Sequence, residues 1–252
     1  MVLETNATII DAKYTVGVLT DSFSAGVSVA EEMTTPKSID DCLEAVVAWI
    51  EAKAGKNYFV GPLEEFLAKY GKVNPEDEFY QARMNYFLEQ CVLERPMTGD
   101  LMGLAPVSKF LSQYQNITRG TTSEAEIWTN FSGFKHGIFE VLKSESDCLN
   151  VRDLISDVCF EIVPKAGETL KYLRRKSIFQ CFVFGNLQQR YLGQGLIVHP
   201  DNAAREILKY IKTYKKYPSL KPSDLMRLFA ATNMRFMRMQ HVDPAVIYAS
   251  IS

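Results

Sequence analysis

Between residues 136 and 200 the chain breaks into short apolar runs separated by turn residues, while the sequence on either side carries the three-to-four residue spacing of helices. That contrast restricts the fold more than any other feature. Residues 138–142 are almost wholly apolar, Ser144-Glu145-Ser146-Asp147 supplies turn chemistry, and Leu149-Asn150-Val151 resumes an alternation, so a hairpin is predicted. After Ser156-Asp157, Val158, Phe160 and Ile162 fall on one side and Cys159 and Glu161 on the other, the period of a strand with one wet face. Residues 178–184 (IFQCFVF) are apolar on both faces apart from Gln180, which predicts the centre of the sheet: a strand covered on both sides or set in a closed sheet. Gly185-Asn186 turns the chain, and residues 191–198 form a last strand. Its Gly193 and Gly195 share a face, where glycine admits another backbone or a ligand. Five strands with hairpin-length connections predict an α+β chain built on a small five-stranded antiparallel barrel or bent sheet.

The flanks read as helices. Ser38 with Asp41 forms a capping box for a helix that Gly55 stops, Pro62 opens a second that Gly71 ends, and Asn74-Pro75 opens a third reaching Leu93. That third helix carries Glu76, Asp77 and Glu78 in its expected first turn. Pro106 opens a fourth, and Thr122-Ser123-x-x-Glu126 caps a fifth. Beyond the strands, His199-Pro200-Asp201 starts a helix with Ile207, Ile211 and Tyr214 inside and Arg205, Lys209, Lys212 and Lys216 outside. Ser223-Asp224 caps the last long helix. The expected division is a leader over 1–36 with a strand over 8–19, a helical domain over 37–135, a β unit over 136–200, and two C-terminal helices over 201–252 packed on it.

Of the 252 residues, 47% are hydrophobic and 23% charged, the balance of an ordinary soluble protein. No apolar window approaches a membrane span and no signal-peptide pattern opens the chain, so a cytoplasmic protein is expected. The 5 cysteines never occur as CxxC, which favours buried thiols over a disulfide framework or a metal site.

Charge is the strongest functional signal. Residues 1–164 hold 13 Lys and Arg against 25 Asp and Glu, and residues 165–252 hold 15 against 5, a net of −12 and +10. Such polarity implies either an internal seam or a basic surface kept for an acidic partner. Arg174, Arg175 and Lys176 precede the central strand, Arg190 precedes the last one, His199 ends it, and Lys209 and Lys212 lie on the following helix, a candidate ligand-binding set. If they line one rim they suit phosphate groups, with Tyr172, Tyr191 and Tyr210 available to stack on bases.

Catalytic motifs are missing: Gly193-Gln194-Gly195 lacks the rest of a dinucleotide fingerprint, and there is no GxxxxGK[ST], HExxH or GxSxG. The sequence therefore predicts a non-enzymatic binding or regulatory protein, without cofactor or metal, for an acidic protein or phosphate-bearing ligand; oligomeric state is left open. The alternatives are a nucleic-acid-binding protein and an enzyme centred on His199, with Cys181 or a carboxylate such as Asp201 beside it.

The segment FEVLKSESDCLNVRDLISDVCFEIV, followed by LIVHP, resembles uncharacterised bacterial proteins with helices before a small β unit, a resemblance that implies no activity. The barrel and its Arg174-Arg175 pair also invite comparison with PilZ domains. That family's RxxxR precedes its barrel, whereas this pair lies between strands, and Asp153-Leu154-Ile155-Ser156 lacks the family's glycine and spacing. No residue carries over.

Overall fold

A computed structural model describes residues 36–72, 74–97, 103–114, 123–145, 147–165, 170–186, 190–218 and 220–251. The strand expected over 8–19 and the cap at Thr122 lie outside them. Five helices, α1 (Ile39–Ala54), α2 (Val60–Tyr70), α3 (Tyr80–Leu93), α4 (Pro106–Gln113) and α5 (Ser123–Ser132), precede the strands. The strands are β1 (Lys135–Ser144), β2 (Leu149–Asp153), β3 (Cys159–Ile162), β4 (Ile178–Gly185), β5 (Arg190–Leu192) and β6 (Ile197–Val198). A short 3-10 turn then leads into α6 (Ala204–Lys216), α7 (Pro222–Arg238) and α8 (Pro244–Ala249).

The local signals act as their chemistry requires. Ser38 Oγ accepts from Asp41 N at 3.2 Å while Asp41 Oδ2 accepts from Ser38 N at 3.0 Å, a complete capping box on α1. Gly55 and Gly71, at φ of 88° and 91°, end α1 and α2 in a conformation that only glycine adopts without strain. The start of α3 is a correction. Asn74 Oδ1 accepts from Glu76 N and Asp77 Oδ2 accepts from Asn74 N, so these side chains hold residues 74–79 in turns and the helix begins at Tyr80. α7 likewise opens with Pro222 in its first turn after Lys221, placing Ser223 inside the helix. The structure adds α8, capped by the Asp243 side chain, which accepts from Ala245 N.

β4 organises the sheet. One edge pairs with β1 over six residues, and the other pairs with β5 and then β6. β1 and β2 form the expected hairpin, β2 pairs with β3, and a short parallel contact from Ile162 to Arg190 closes a five-stranded barrel that β6 extends. Alternate β4 residues serve two compartments. Phe179, Cys181 and Val183 fill the barrel with Phe139, Val151 and Leu192, and Leu170 and Leu173 join them from the β3–β4 connection. On the outer face Phe182 and Phe184 pack into the core of the N-terminal helices, and Ile178 joins Ile207, Ile211 and Phe229 beneath α6 and α7. All eight β4 residues are consequently buried.

Candidate ligand-binding surface

The register of β4 decides which of the expected basic residues meet. Arg174, Arg175 and Lys176 form a turn at its N-terminal end, held by Lys176 N donating to Val141 O (2.8 Å) and Arg174 N donating to Ser177 Oγ (3.1 Å). Arg190 pairs opposite Gly185 at the other end. Seven steps of strand separate the two ends, about 23 Å at ~3.3 Å per residue, so these residues do not share one rim. Arg190 is half-buried with its guanidinium 4.4 Å over the Phe160 ring and its Nε donating to Asn186 O at 3.2 Å, and burial lowers its pKa.

α6 starts from the same end of β4 as the 174–176 turn: His199 N donates to Ile178 O, and the chain enters the 3-10 turn before α6 two residues later. The apolar stripe of α6 buries Ile207, Ile211 and Tyr214, and the same periodicity turns Arg205, Lys209, Lys212 and Lys216 outward. Beside Lys209 lies a groove of about 290 Å3 between α6 and the C-terminal segment, lined by Glu206, Tyr210, Thr213, Tyr217, Tyr248 and Ile251 among others. Tyr217 is 65% exposed at its edge.

The internal seam closes little of this charge. Between the acidic and basic halves, the ion pairs among the described residues are Lys165 to Asp40 (2.7 Å) and Lys215 to Asp157 (2.5 Å). Lys209 meets Glu206 of its own helix at 3.6 Å. Arg174, Arg175, Lys176, Arg205, Lys212 and Lys216 form no ion pair among the described residues.

His199 is 1% exposed, behind the wall of the groove: its Nδ1 lies 2.7 Å from Tyr248 Oη and its ring meets Phe229 edge-on. Burial alone pushes its pKa down to about 3, so it is a neutral imidazole inside the fold. Tyr248, not Asp201, orients it. Cys181 faces the barrel interior while His199 sits in the outer layer, so the two do not form a pair.

Sequence reasoning missed a buried polar joint. Glu94 Oε1 lies 3.0 Å from His136 Nδ1, His136 Nε2 lies 3.1 Å from Tyr86 Oη, and Gln180 Nε2 donates to both Tyr86 Oη (2.6 Å) and Met226 O (2.9 Å). A carboxylate, an imidazole and a phenol in line have the makings of a proton relay, but Tyr86 and Gln180 are sealed from solvent. The chain instead ties α3, β1, β4 and α7 together. Alongside it, Glu89 accepts from Gln194 N (2.7 Å) and Gly195 N (3.2 Å), and burial raises its pKa to about 8 against the pull of those two bonds. Gln180 as the single polar residue in β4 was the one legible sign of this joint.

Glu145, Asp147 and Cys148 place one ligand atom each within 4.8 Å of one another on the surface. Lys143 already engages Glu145, and Cys148 Sγ donates to Glu145 at 3.6 Å. Among the described residues, no helix is long and apolar enough to cross a membrane. Comparison of the chain with protein-family models, curated proteins and solved structures finds no match.

Proposed function

We propose that the protein is a non-catalytic binding protein that presents the outer face of α6 to a phosphate-bearing ligand. The observation that carries this reading is the set of exposed cations at the 174–176 turn and on α6, of which Arg174, Arg175, Lys176, Arg205, Lys212 and Lys216 form no ion pair among the described residues. Carrying such self-repelling charge costs stability, a cost that an anionic partner offsets. The tyrosine-lined groove at Lys209 supports a ligand in which a planar ring accompanies the phosphate, because a ring stacks on Tyr217 or Tyr210 while the ammonium holds the phosphate oxygen. Calorimetric titration with a nucleoside triphosphate and with inorganic triphosphate is the test. The nucleotide should bind more tightly than the ring-free anion, both should weaken as salt rises, and Lys209→Gln with Lys212→Gln should cost about tenfold in affinity. No heat with either anion at low salt sinks the proposal.

The length of the basic face favours a second reading. Thirteen residues of α6 extend about 20 Å at ~1.5 Å per residue, enough to follow several phosphates of a strand. An oligonucleotide whose affinity falls steeply with salt, against a mononucleotide that binds weakly, would select nucleic acid as the ligand.

A further inference from the structure

We propose that the cavity between α2, α3 and α7 binds a small oxyanion, either a phosphate-sized tetrahedral group or a short carboxylate. This site is separate from α6. It has a volume of about 120 Å3, with Phe66, Phe87 and Cys91 forming its apolar wall. That is too small for a nucleotide, since drug-sized pockets begin near ~300 Å3, but sufficient for one compact anion.

The polar lining is dominated by donors. Lys69, Arg95 and Arg227 bring three cations from three parts of the fold, against the single carboxylate of Glu65, which Arg95 already engages at 2.9 Å. Deeper in, Tyr70 and Gln90 are 5% and 8% exposed; the Gln90 amide lies against the Tyr70 hydroxyl, and the Tyr70 O–H has no acceptor among the described residues. Buried donors are almost always satisfied, so the Tyr70 O–H in a cavity beside cations calls for an acceptor. Burial raises the Tyr70 pKa to about 12, so its hydroxyl keeps its proton and donates. Of the nearby carboxylates, Asp224 accepts from Arg227 Nη1 at 3.2 Å and Glu94 Oε1 meets His136, while Glu94 Oε2 is buried without a hydrogen-bond partner among the described residues. An oxyanion here accepts from Tyr70 and pairs with the Lys69 ammonium, and it takes a further contact from Arg95 and Arg227 beyond Glu65 and Asp224, bridging the N-terminal helices to α7.

The test is thermal unfolding and calorimetric titration with sodium phosphate and, separately, sodium acetate, against chloride at equal ionic strength. An anion that binds only the folded state raises Tm with concentration. Whichever of the two is the better fit should bind in the wild type and lose about tenfold in affinity in Tyr70→Phe, whose anion-free Tm should be unchanged because it removes an unsatisfied hydroxyl. Lys69→Ala, at an exposed position, serves if Tyr70→Phe does not fold, and should show the same loss. Lys209→Gln with Lys212→Gln must leave this binding intact, which separates it from ligand capture on α6. Equal affinities in wild type and Tyr70→Phe, no Tm rise with either anion, or a crystal grown in the better-binding anion with only water in the cavity would overturn the proposal.

Discussion

Glu89 and His199 are both buried and titrate in opposite senses. Unfolded, Glu89 ionises near 4.5, but in the fold it keeps its proton to about 8, so unfolding releases a proton and stability falls as pH rises through that window. His199 would take up a proton near 6.5 once unfolded but resists down to about 3 in the fold, so its contribution is lost as pH falls below 6.5. From about 4.5 to 6.5 the two slopes oppose; from 6.5 to about 8 only that of Glu89 remains. Denaturant titration across pH should therefore show a plateau and then a decline, and Glu89→Gln should remove the decline. A wild-type curve still rising above pH 7 would contradict this assignment. The glycines facing Glu89 are held to their identity by space: a Cβ on Gly195 would stand 2.4 Å from Tyr86 Cα and 2.7 Å from Glu89 Oε2. The expectation that glycine here admits another backbone is met by α3.

At the scale of elements, β4 does the joining, because its two faces belong to different cores. Phe182 lies fully buried against the N-terminal helices, with its ring stacked on His136 at 4.1 Å. Phe182→Ala leaves a cavity at the junction and should cost about 3–5 kcal/mol, measured by chemical denaturation; a loss under about 1 kcal/mol would mean the helices and barrel are only loosely joined. The strand itself was legible because a run apolar on both faces has few ways to be buried. The break between β5 and β6 was not, since alternation over residues 191–198 reads as one strand, and only the approach of Tyr86 and Glu89 explains why Gly193-Gln194-Gly195 departs from it. The start of α3 misled for a related reason: acids after Asn74-Pro75 suit a helix N-terminus equally well as a series of side-chain-bonded turns. Sequence placed the α6 cations on one helix face, but the separation of Arg174–Lys176 from Arg190 follows from strand register, which no local pattern carries.

Across the whole molecule, the segregation of charge and the distribution of the core give different divisions. Charge separates an acidic front from a basic tail, whereas the core of the N-terminal helices takes in Phe182, Phe184 and Ile197 of the β unit and Ala230 and Met234 of α7. Arg238 of α7 also donates to Lys72 O at 2.7 Å, placing a cation at the C-terminal end of α2. A barrel deprived of the N-terminal helices would bare one side of its central strand, and the helices alone would lose the aromatic residues that close their core. The barrel has an interior of its own, but β4 carries that interior on one face and the core of the N-terminal helices on the other, so calorimetry should show one transition whose van't Hoff and calorimetric enthalpies agree. Two resolved transitions, or a soluble and cooperatively folding fragment of residues 136–252, would show that the boundary near residue 135 divides the energetics as well as the sequence pattern. Under the single-transition outcome, an anion held between α2, α3 and α7 stabilises the barrel along with the helices, and the Tm shift it produces moves the whole melting curve without splitting it.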